Sequence, residues 1–404
     1  MKILHKGYLT GPIIGALWAL VMSVTLGVAI SFATGAAAKP ALIGSLILGL
    51  ATGFARVRIA NRWAADAVAV IVALVLMAVG LGALQFDESF NFVWRFVLSV
   101  VLAGTVSVPL NSILRELQFG ALTRHQFEDA VIRFLTGFGY IFFTAIVVIP
   151  FYVMVMTSMK SQQQLMLNPL DFSIDLSRGW HLFDSYYELM TRFHFGRYLW
   201  TSFYVSVLTV LLTLLFSVPG AYAVARLRFR GQKVFSRGIL LIYMVPMIVL
   251  ALPIYIAYSM VGLRNSILGI VMIYPVTTIP VALYMLQGYF RGLPVEVEEA
   301  GLMDGLSRLK VIWKITLPLA LPAMASVGLY VFMIAWNEFL LAFMLLDDPS
   351  KFTLTRGIAS LNSSEIPRQH LMAGAVIATV PIMALFLGLE RFMTRGLTAG
   401  AVKG

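Results

Sequence analysis

Long apolar runs, separated by short polar segments, follow one another along almost the whole chain. The runs lack the period-two alternation of membrane barrel strands, so the pattern predicts helices. Windows of about twenty residues, the length that crosses a bilayer as a helix, give ten predicted spans near residues 11–34, 40–55, 64–85, 92–113, 134–157, 198–223, 238–259, 267–289, 318–346 and 371–393. The second predicted span is short and the ninth is long, so the ends of these two are the least defined.

Composition supports the same fold class. Of the 404 residues, 60% are hydrophobic and 12% are charged, and the mean hydropathy is +0.88. A soluble domain cannot bury this much apolar surface, so lipid must be the solvent for most of the chain. We therefore predict an all-α polytopic membrane protein with about ten transmembrane helices. The sequence has no cysteine, which excludes disulfides, thiolate metal sites and cysteine nucleophiles, and we predict no catalytic or metal-binding residues.

The distribution of basic residues predicts the orientation in the membrane. With the N-terminus inside, the predicted inside loops hold roughly twenty of the 30 Lys and Arg residues, as the positive-inside rule expects. Both termini are therefore predicted to be cytoplasmic. The net charge of +11 then reflects this distribution and does not indicate a nucleic-acid partner.

Two features near the N-terminus leave alternatives open. Lys2 and Lys6, the first apolar run and the small residues of "ATGAAAKP" resemble a cleaved secretory signal, although the run is longer than a typical signal core. Arg95, early in the fourth predicted span, either snorkels to the outer surface or pairs with Asp87 or Glu88. We favour an uncleaved first span and a snorkelling Arg95.

The chain divides by its pattern near residue 133. Residues 1–133 hold four predicted spans and short loops, and residues 134–404 hold six spans and two sizeable outside segments. The last inside segment of the first part, "RELQFGALTRHQFEDAVIRF", is predicted to lie along the membrane surface as an amphipathic helix. We predict an N-terminal four-helix extension followed by a six-helix core.

A charged, turn-broken segment at residues 291–318, here called the polar hairpin, separates two of the apolar spans. Pro294 suits the first turn of a helix, where its missing N–H costs nothing. The acidic residues that follow favour the positive end of the helix dipole; they are Glu296, Glu298 and Glu299. Gly305 after Asp304 is typical of a helix end, because glycine tolerates the left-handed conformation there.

A second short helix is predicted after this glycine. Ser307 is a candidate N-cap, and apolar residues then recur at helical spacing before Pro318, which is predicted to open the next span. The hairpin is thus predicted to be either a bent two-helix protrusion fixed to two spans or a helical loop resting on lipid headgroups.

The polar hairpin resembles the EAA loop of ABC importer permeases, whose pattern is E-A-A, three residues, G, nine residues, I-x-L-P. Glu299, Ala300 and Gly301 match the triplet, Gly305 matches the glycine, and residues 315–318 complete the pattern. Glycine at position 301 departs from the usual alanine, at a cost of about 1 kcal/mol in helix propensity. In that family the loop is a coupling helix that sits in a cleft of the ATP-binding subunit, which implies coupling roles for Glu298, Glu299, Ala300, Gly301, Asp304 and Gly305.

The resemblance extends over residues 134–404, to the smaller permease subunit of the carbohydrate (maltose-type) branch. "SVPGAYAVARLRFRG", "AWNEF" and the C-terminal "GLTAGAVKG" carry it. In that branch the tail, here residues 396–404, reaches between the two ATPase subunits; a frayed terminus is the alternative. The residues implied to contact the ATPase are Thr398, Ala399, Gly400 and Lys403.

The resemblance also implies partners. The sequence has no G-x-x-x-x-G-K-[ST] motif to hold phosphates, so ATP and Mg²⁺ are expected on separate subunits and no cofactor is expected on this chain. The implied assembly is a second permease subunit, two ATP-binding subunits and an extracytoplasmic solute-binding protein in a bacterial-type inner membrane. The outer segment at residues 157–198 resembles the loop where that binding protein docks.

The expected function is therefore ATP-driven sugar import by alternating access. The alternatives are a permease for a non-sugar solute, an ion-coupled secondary carrier, and a membrane scaffold.

Polar and aromatic side chains within the spans are candidates for the solute pathway, because polar groups in lipid are costly. Sugars present hydroxyl groups and apolar faces, which such a mixture would bind. The candidates are Asn337, Glu338, Trp336, Tyr330, Tyr274 and Tyr284. The alternative is that Asn337 and Glu338 bond neighbouring helices and that the tyrosines belong to the interfacial belt. No role is predicted for the four N-terminal helices.

Overall fold

The computed structural model describes residues 5–169, 171–362 and 366–398. Within these ranges the chain is almost entirely helical. The helices are α1 (Gly7–Thr34), α2 (Leu42–Arg58), α3 (Arg62–Ala78), α4 (Phe92–Ile113), α5 (Arg124–Ser158), α6 (Gln162–Leu167), α7 (Asp184–Thr191), α8 (Phe195–Arg226), α9 (Gln232–Tyr243), α10 (Met247–Met260), α11 (Ile267–Gly292), α12 (Val295–Met303), α13 (Arg308–Val311), α14 (Leu317–Asn337), α15 (Leu340–Leu345), α16 (Leu354–Ser360) and α17 (Arg368–Thr398). Short 3₁₀ turns lie at Leu176–Phe183 and Pro349–Lys351.

Contacts divide the chain into two compact units, Met1–Leu182 and Phe183–Gly404. This division follows packing within the chain. The predicted domain boundary at residue 133 follows the pattern of spans and loops in the sequence and stays a prediction.

Seven helices among the described residues are long and apolar enough to cross a membrane. They confirm the all-α polytopic fold class. The seven are Gly7–Thr34, Phe92–Ile113, Arg124–Ser158, Phe195–Arg226, Ile267–Gly292, Arg308–Asn337 and Arg368–Gly388. The other three predicted spans correspond to α2 and α3, with 17 residues each, and to the pair α9 and α10. Pro246 is the N-cap of α10, and its missing N–H coincides with the break between those two helices.

In the N-terminal unit, α1 and α2 pack backbone against backbone. A Cβ added to Gly15 would lie 2.3 Å from the carbonyl oxygen of Gly49, and one added to Gly49 would lie 2.2 Å from that of Gly15. Gly11 and Gly53 make the same kind of close approach one turn away. Small residues four apart are how membrane helices reach such distances.

Two connections of this unit, before α2 and before α4, are tied by a short sheet and by Arg95. β1 (Ala38–Pro40) pairs antiparallel with β2 (Leu84–Phe86). Arg95 Nε donates to the carbonyl oxygen of Phe90 at 2.9 Å, and Nη2 donates to that of Asp87 at 3.1 Å. Arg95 therefore bonds backbone carbonyls of the connection before its helix, and the described residues show no ion pair between it and Asp87 or Glu88. Snorkelling to the membrane surface stays a prediction.

The prediction of an amphipathic surface helix at residues 115–134 is wrong. Residues 119–122 instead run beside the N-terminus: Gly7 N donates to the carbonyl oxygen of Gly120 at 2.8 Å, and Leu122 N donates to that of His5 at 2.9 Å. The helix begins at Arg124 because Thr123 and Gln126 form a capping box, and it continues for 35 residues into the fifth predicted span.

The second unit is built around α8, α11 and α14. α11 supplies several of the largest fully buried side chains, including Tyr274, Leu286 and Phe290. Hydroxyls occur within this apolar packing, and Thr213 and Thr278 bond each other across α8 and α11 at 2.6 Å. This core carries the polar hairpin at one end of α11.

Candidate functional site

The polar hairpin begins with a well-terminated acidic helix. Pro294 is the N-cap of α12, and Glu296 and Glu298 lie in its first turn, at the positive end of the dipole. At the other end Gly305 has φ 82°, its N–H bonds the carbonyl of Leu302 at 3.1 Å, and Leu306 N bonds that of Gly301 at 3.1 Å. These two bonds form a Schellman motif, which confirms the predicted glycine stop.

Glu298 is the internal anchor of the hairpin. Its Oε1 accepts a hydrogen bond from Thr316 Oγ1 at 3.1 Å, and its Oε2 accepts one from the Tyr222 hydroxyl at 3.3 Å. Arg226 Nε lies 3.6 Å from Oε1, and Arg226 Nη2 donates to the carbonyl of Leu293 at 2.6 Å. Only 9% of the Arg226 side chain and 15% of the Glu298 side chain are exposed. One carboxylate thus joins α12 to α8 and to the segment that enters α14.

The second arm of the hairpin is continuous with the following span. Ser307 is the N-cap of α13 but makes no capping hydrogen bond, and α13 passes through a π-helical turn at Ile312–Thr316 directly into α14. Pro318 lies in the first turn of α14, as expected, but the helical path continues into it from α13 and does not start there. A π turn widens the helix just before Pro318, whose ring would otherwise clash with the carbonyl four residues earlier.

Gly301 is buried in the angle between the two arms. A Cβ at this position would lie 2.6 Å from Ile315 Cδ1 and 3.2 Å from Val311 Cγ2. The EAA pattern usually has alanine at this position. Here Ile315 on the opposite arm occupies the space that an alanine methyl would take. The packing around this position therefore leaves room only for a small residue.

The outward surface of the hairpin combines charge with exposed apolar side chains. Glu299, Ala300, Asp304 and Gly305 are all exposed. Large apolar side chains lie beside them with high exposure: Met303 at 88%, Trp313 at 67% and Leu309 at 66%. Such a surface, held by the buried Glu298 contacts, is suited to seating in another protein.

The predicted tail residues fall at the end of the described chain. Thr398 is the last residue of α17, and its side chain lies outside the described residues, as do Ala399, Gly400 and Lys403. The tail contact therefore stays a prediction.

The predicted pathway residues lie on α11 and α14 but do not form one cluster. Tyr274 is 1% exposed, and its hydroxyl lies near the Glu338 carboxylate without hydrogen-bond geometry. Tyr284 lies ten residues further along α11, a rise of about 15 Å, and is 56% exposed. On α14, Tyr330 is half-buried.

The remaining two pathway residues of α14 bond within the unit. Trp336 is 3% exposed, and its Nε1 donates to the carbonyl of Ala378 at 3.1 Å. Asn337 is exposed and bonds the carbonyl of Met333 at 2.8 Å. Trp336 thus ties α14 to α17, whereas the side chains of Asn337 and Tyr284 are exposed.

Glu338 ends the ninth predicted span early. Its ψ of 125° breaks the helix after Asn337, and its carboxylate accepts hydrogen bonds from Leu341 N at 2.8 Å and Ala342 N at 3.1 Å. The prediction of one continuous span at residues 318–346 is therefore wrong. An acidic side chain satisfies the free N–H groups at the start of α15, so the carboxylate that looked like a pathway residue is a helix cap.

The sequence prediction missed three residues of the site: Tyr222, Arg226 and Thr316. Each is separated from Glu298 by at least 18 positions along the chain. Arg226 and Tyr222 are four apart in "GAYAVARLRFRG", and therefore on one face of α8. A basic residue at the inner end of a span, opposite an acidic loop, was the available signal.

Comparison with known proteins identifies relatives of most of the chain. The family described as "Binding-protein-dependent transport system inner membrane component" matches residues 216–398. The chain is 35% identical over 270 residues to the inner membrane ABC transporter permease protein YcjP of Escherichia coli (strain K12), which covers 66% of this chain and 95% of that protein. It is 32% identical over 282 residues to the trehalose/maltose transport system permease protein MalG of Thermococcus litoralis, which covers 69% of this chain and 99% of that protein.

A solved structure shares the fold. It is a crystal structure of a bacterial ABC transporter involved in the import of the acidic polysaccharide alginate, with a TM-score of 0.56 and 23% identity. The match covers 67% of this chain and 98% of the solved one.

Proposed function

The chain belongs to the binding-protein-dependent transport system inner membrane components, the permeases of ABC importers, and we propose that within this family it carries sugars. It is a multi-pass inner membrane protein and a permease subunit. Family membership removes the ion-coupled carrier and the scaffold from the alternatives. The observation that carries the proposed mechanism is the buried Glu298 contact set, which joins the outward surface of the hairpin to two membrane helices.

The assembly that we propose follows the family in general. This chain pairs with a second permease subunit, two ATP-binding subunits and a solute-binding protein. ATP and Mg²⁺ bind the ATP-binding subunits, where hydrolysis takes place. The polar hairpin, including Glu299, Ala300, Asp304 and Gly305, contacts one of those subunits, and the tail at residues 396–404 reaches between them. Both termini are then cytoplasmic.

The mechanism that we propose is alternating access driven through the hairpin. Closure of the ATP-binding subunits displaces α12, and Glu298 passes the displacement to Tyr222 and Arg226 on α8 and through Thr316 to α14. Movement of α8 and α14 changes which side of the membrane the solute pathway faces. Cross-links from cysteines placed at Met303 and Leu309 to a nucleotide-hydrolysing protein in native membranes test this contact, and their absence would contradict it.

Sugar as the solute is supported by the motifs and by named relatives. "AWNEF" and the C-terminal "GLTAGAVKG" resemble the carbohydrate branch, and MalG is described as a trehalose/maltose permease. Oligosaccharides or glycosides are the expected class, and exposed Asn337 and Tyr284 are the proposed contacts. The cognate binding protein, screened by calorimetry against sugars, amino acids, peptides and polyamines, tests this. Preference for a non-sugar would favour the alternative.

Replacing Gly305 by valine is expected to uncouple ATP hydrolysis from uptake. The left-handed φ of 82° is strained for a β-branched residue, at a cost of about 1–2 kcal/mol, so the Schellman turn should open and displace α12. The measurement is uptake per ATP hydrolysed by the purified complex in liposomes.

Gly231 provides a matched control for this substitution. It has φ 90° in the turn before α9, and an added Cβ meets nothing within 4 Å, as is also true of Gly305. Gly231→Val should carry the same local strain and leave the uptake ratio near that of the wild type. Normal coupling in Gly305→Val would contradict the proposed role.

A further inference from the structure

One end of the N-terminal unit collects basic residues. α1, α3 and α5 begin at this end, and α2 and α4 finish there. The basic residues on and beside these helix ends are Lys6, Arg56, Arg58, Arg62, Arg115, Arg124 and Arg133. The acidic residues of the same end are fewer, so their pairing decides which cations remain available.

Three of the four carboxylates at this end pair with two arginines, and the fourth, Asp66, accepts a hydrogen bond from Asn111 at 2.9 Å. Arg133 pairs with Glu116 at 3.0 Å and with Asp129 at 2.8 Å, and Arg124 pairs with Glu128 at 2.6 Å. Among the described residues, five of these basic residues make no ion pair: Lys6, Arg56, Arg58, Arg62 and Arg115. Lys6 and Arg58 differ from the other three because they lie over rings that contact each other. Both side chains are exposed at the boundary between apolar helices and their connections.

These two cations are held on aromatic rings. Lys6 Nζ lies 5.7 Å from the ring centre of Tyr8, and the Arg58 guanidinium lies 5.1 Å from that of Phe119. The Phe119 ring contacts the rings of Tyr8 at 5.8 Å and Phe54 at 5.9 Å. We call these five residues the basic–aromatic cluster.

Backbone pairing fixes the cluster in place. Tyr8 N donates to the carbonyl of Phe119 at 3.2 Å, and Lys6 and Ala121 form an isolated β-bridge. The bonds of Gly7 and Leu122 described above flank this bridge. The two chain segments that carry the cluster are thus pre-organised, so a ligand would pay little to order them.

An exposed apolar stripe leads along α2 to the cluster. Ile43 is 63% exposed, Ile47 38%, Leu50 43% and Phe54 46%, and their spacing of three or four places them on one helix face. Arg58 is the next position on that face. A chain-like apolar ligand along the stripe would therefore place its head beside the guanidinium.

We propose that the basic–aromatic cluster binds the headgroup phosphate of an anionic phospholipid, with an acyl chain along the α2 stripe. Lys6 and Arg58 have no acidic partner among the described residues, and a lipid phosphate at the membrane surface would supply one. The amphipathic ring of Tyr8 and the apolar ring of Phe119 contact these two cations. Aromatic side chains are favoured at the boundary between lipid headgroups and acyl chains. The site assigns a lipid-binding role to the N-terminal helices.

The test is native mass spectrometry of the full-length protein in neutral detergent. Phosphatidylglycerol and phosphatidylcholine with identical acyl chains are titrated separately. The wild type should retain phosphatidylglycerol several-fold more strongly than phosphatidylcholine. Because each basic residue near a membrane surface contributes about a fivefold gain, Lys6→Gln and Arg58→Gln together should lower retention about twenty-fivefold.

Arg124→Gln is the matched control, because it removes one charge from the same end but from a residue paired with Glu128. It should leave phosphatidylglycerol retention unchanged. The side-chain changes spare the backbone bonds of residues 5–8, and unchanged thermal unfolding would verify the fold. Leu50→Asn provides a second test. It is expected to lower the retention of long-chain phosphatidylglycerol and to leave the retention of dihexanoyl phosphatidylglycerol unchanged.

Three results would overturn the proposal. Equal retention of the two lipids by the wild type would remove the headgroup preference. A loss of about fivefold in Arg124→Gln, the share expected for each of the two cluster residues, would indicate diffuse charge in place of a site. Displacement of the lipid by inorganic phosphate at the same concentration would indicate a free-anion site.

Discussion

Replacement of Glu298 by alanine is expected to abolish ATP-driven uptake while the protein still inserts into the membrane. The substitution removes the acceptor of the Tyr222 and Thr316 hydrogen bonds and leaves the 9%-exposed Arg226 side chain without its carboxylate. Breaking a buried ion pair costs about 3–5 kcal/mol, and the 3.6 Å separation of Arg226 Nε and Oε1 favours the lower figure. A cost of about 3 kcal/mol corresponds to about a hundredfold decrease in the population of molecules whose hairpin is anchored.

The measurement is uptake and ATP hydrolysis by the purified complex in liposomes, side by side. Glu296→Ala is the control, since Glu296 shares the first turn of α12 and is exposed. It should cost only a few tenths of a kcal/mol through the helix dipole. Glu298→Gln should fall between the two, because an amide keeps acceptor capacity and loses charge. Uptake by Glu298→Ala at the wild-type rate would refute the anchoring role.

Replacement of Gly49 by alanine is expected to destabilise the N-terminal unit strongly for so small a change. The added methyl would lie 2.2 Å from the carbonyl oxygen of Gly15 and 2.5 Å from Cα of Ala16, and both are backbone atoms that move only with α1. Overpacking of this kind costs about 1–3 kcal/mol and sometimes more. The measurement is the unfolding midpoint and protease resistance of the purified protein.

Gly104→Ala separates the steric effect from helix propensity. Gly104 lies in α4, and a Cβ there meets nothing within 4 Å. Alanine should stabilise that helix by up to about 1 kcal/mol, the same intrinsic gain that Gly49→Ala would have without a clash. The two variants should therefore shift the midpoint in opposite directions. Equal shifts would show that α1 and α2 do not approach as closely as described.

The polar hairpin was predictable because its signals are local. Pro294, the first-turn acids and the glycine at position 305 each act within one helical turn, and all three occur at the expected helix ends. The internal role of Glu298 was not predictable in this way. Glu298 and Glu299 are chemically identical neighbours, and only packing against α8 makes one a buried anchor and leaves the other exposed.

The wrong predictions share a physical cause. Hydropathy windows average over about twenty residues, so they do not register a single cap. The cap supplied by Glu338 begins a helix inside a segment that the window treats as uniform. The capping box at Thr123 begins a helix inside the polar segment that was predicted as a single amphipathic helix. The Gly11, Gly15, Gly49 and Gly53 spacing was visible in the sequence, yet only the structure shows that the two pairs face each other.

The unbroken helix from Arg308 to Asn337 has a consequence for the size of the movement that transport requires. Its 30 residues make a rod about 45 Å long, with the polar hairpin at one end and the Glu338 break at the other. A rod of this length that tilts by about 5° carries its far end through about 4 Å. A small tilt at the hairpin end of this helix would therefore be enough to open or close a passage near the opposite face of the membrane.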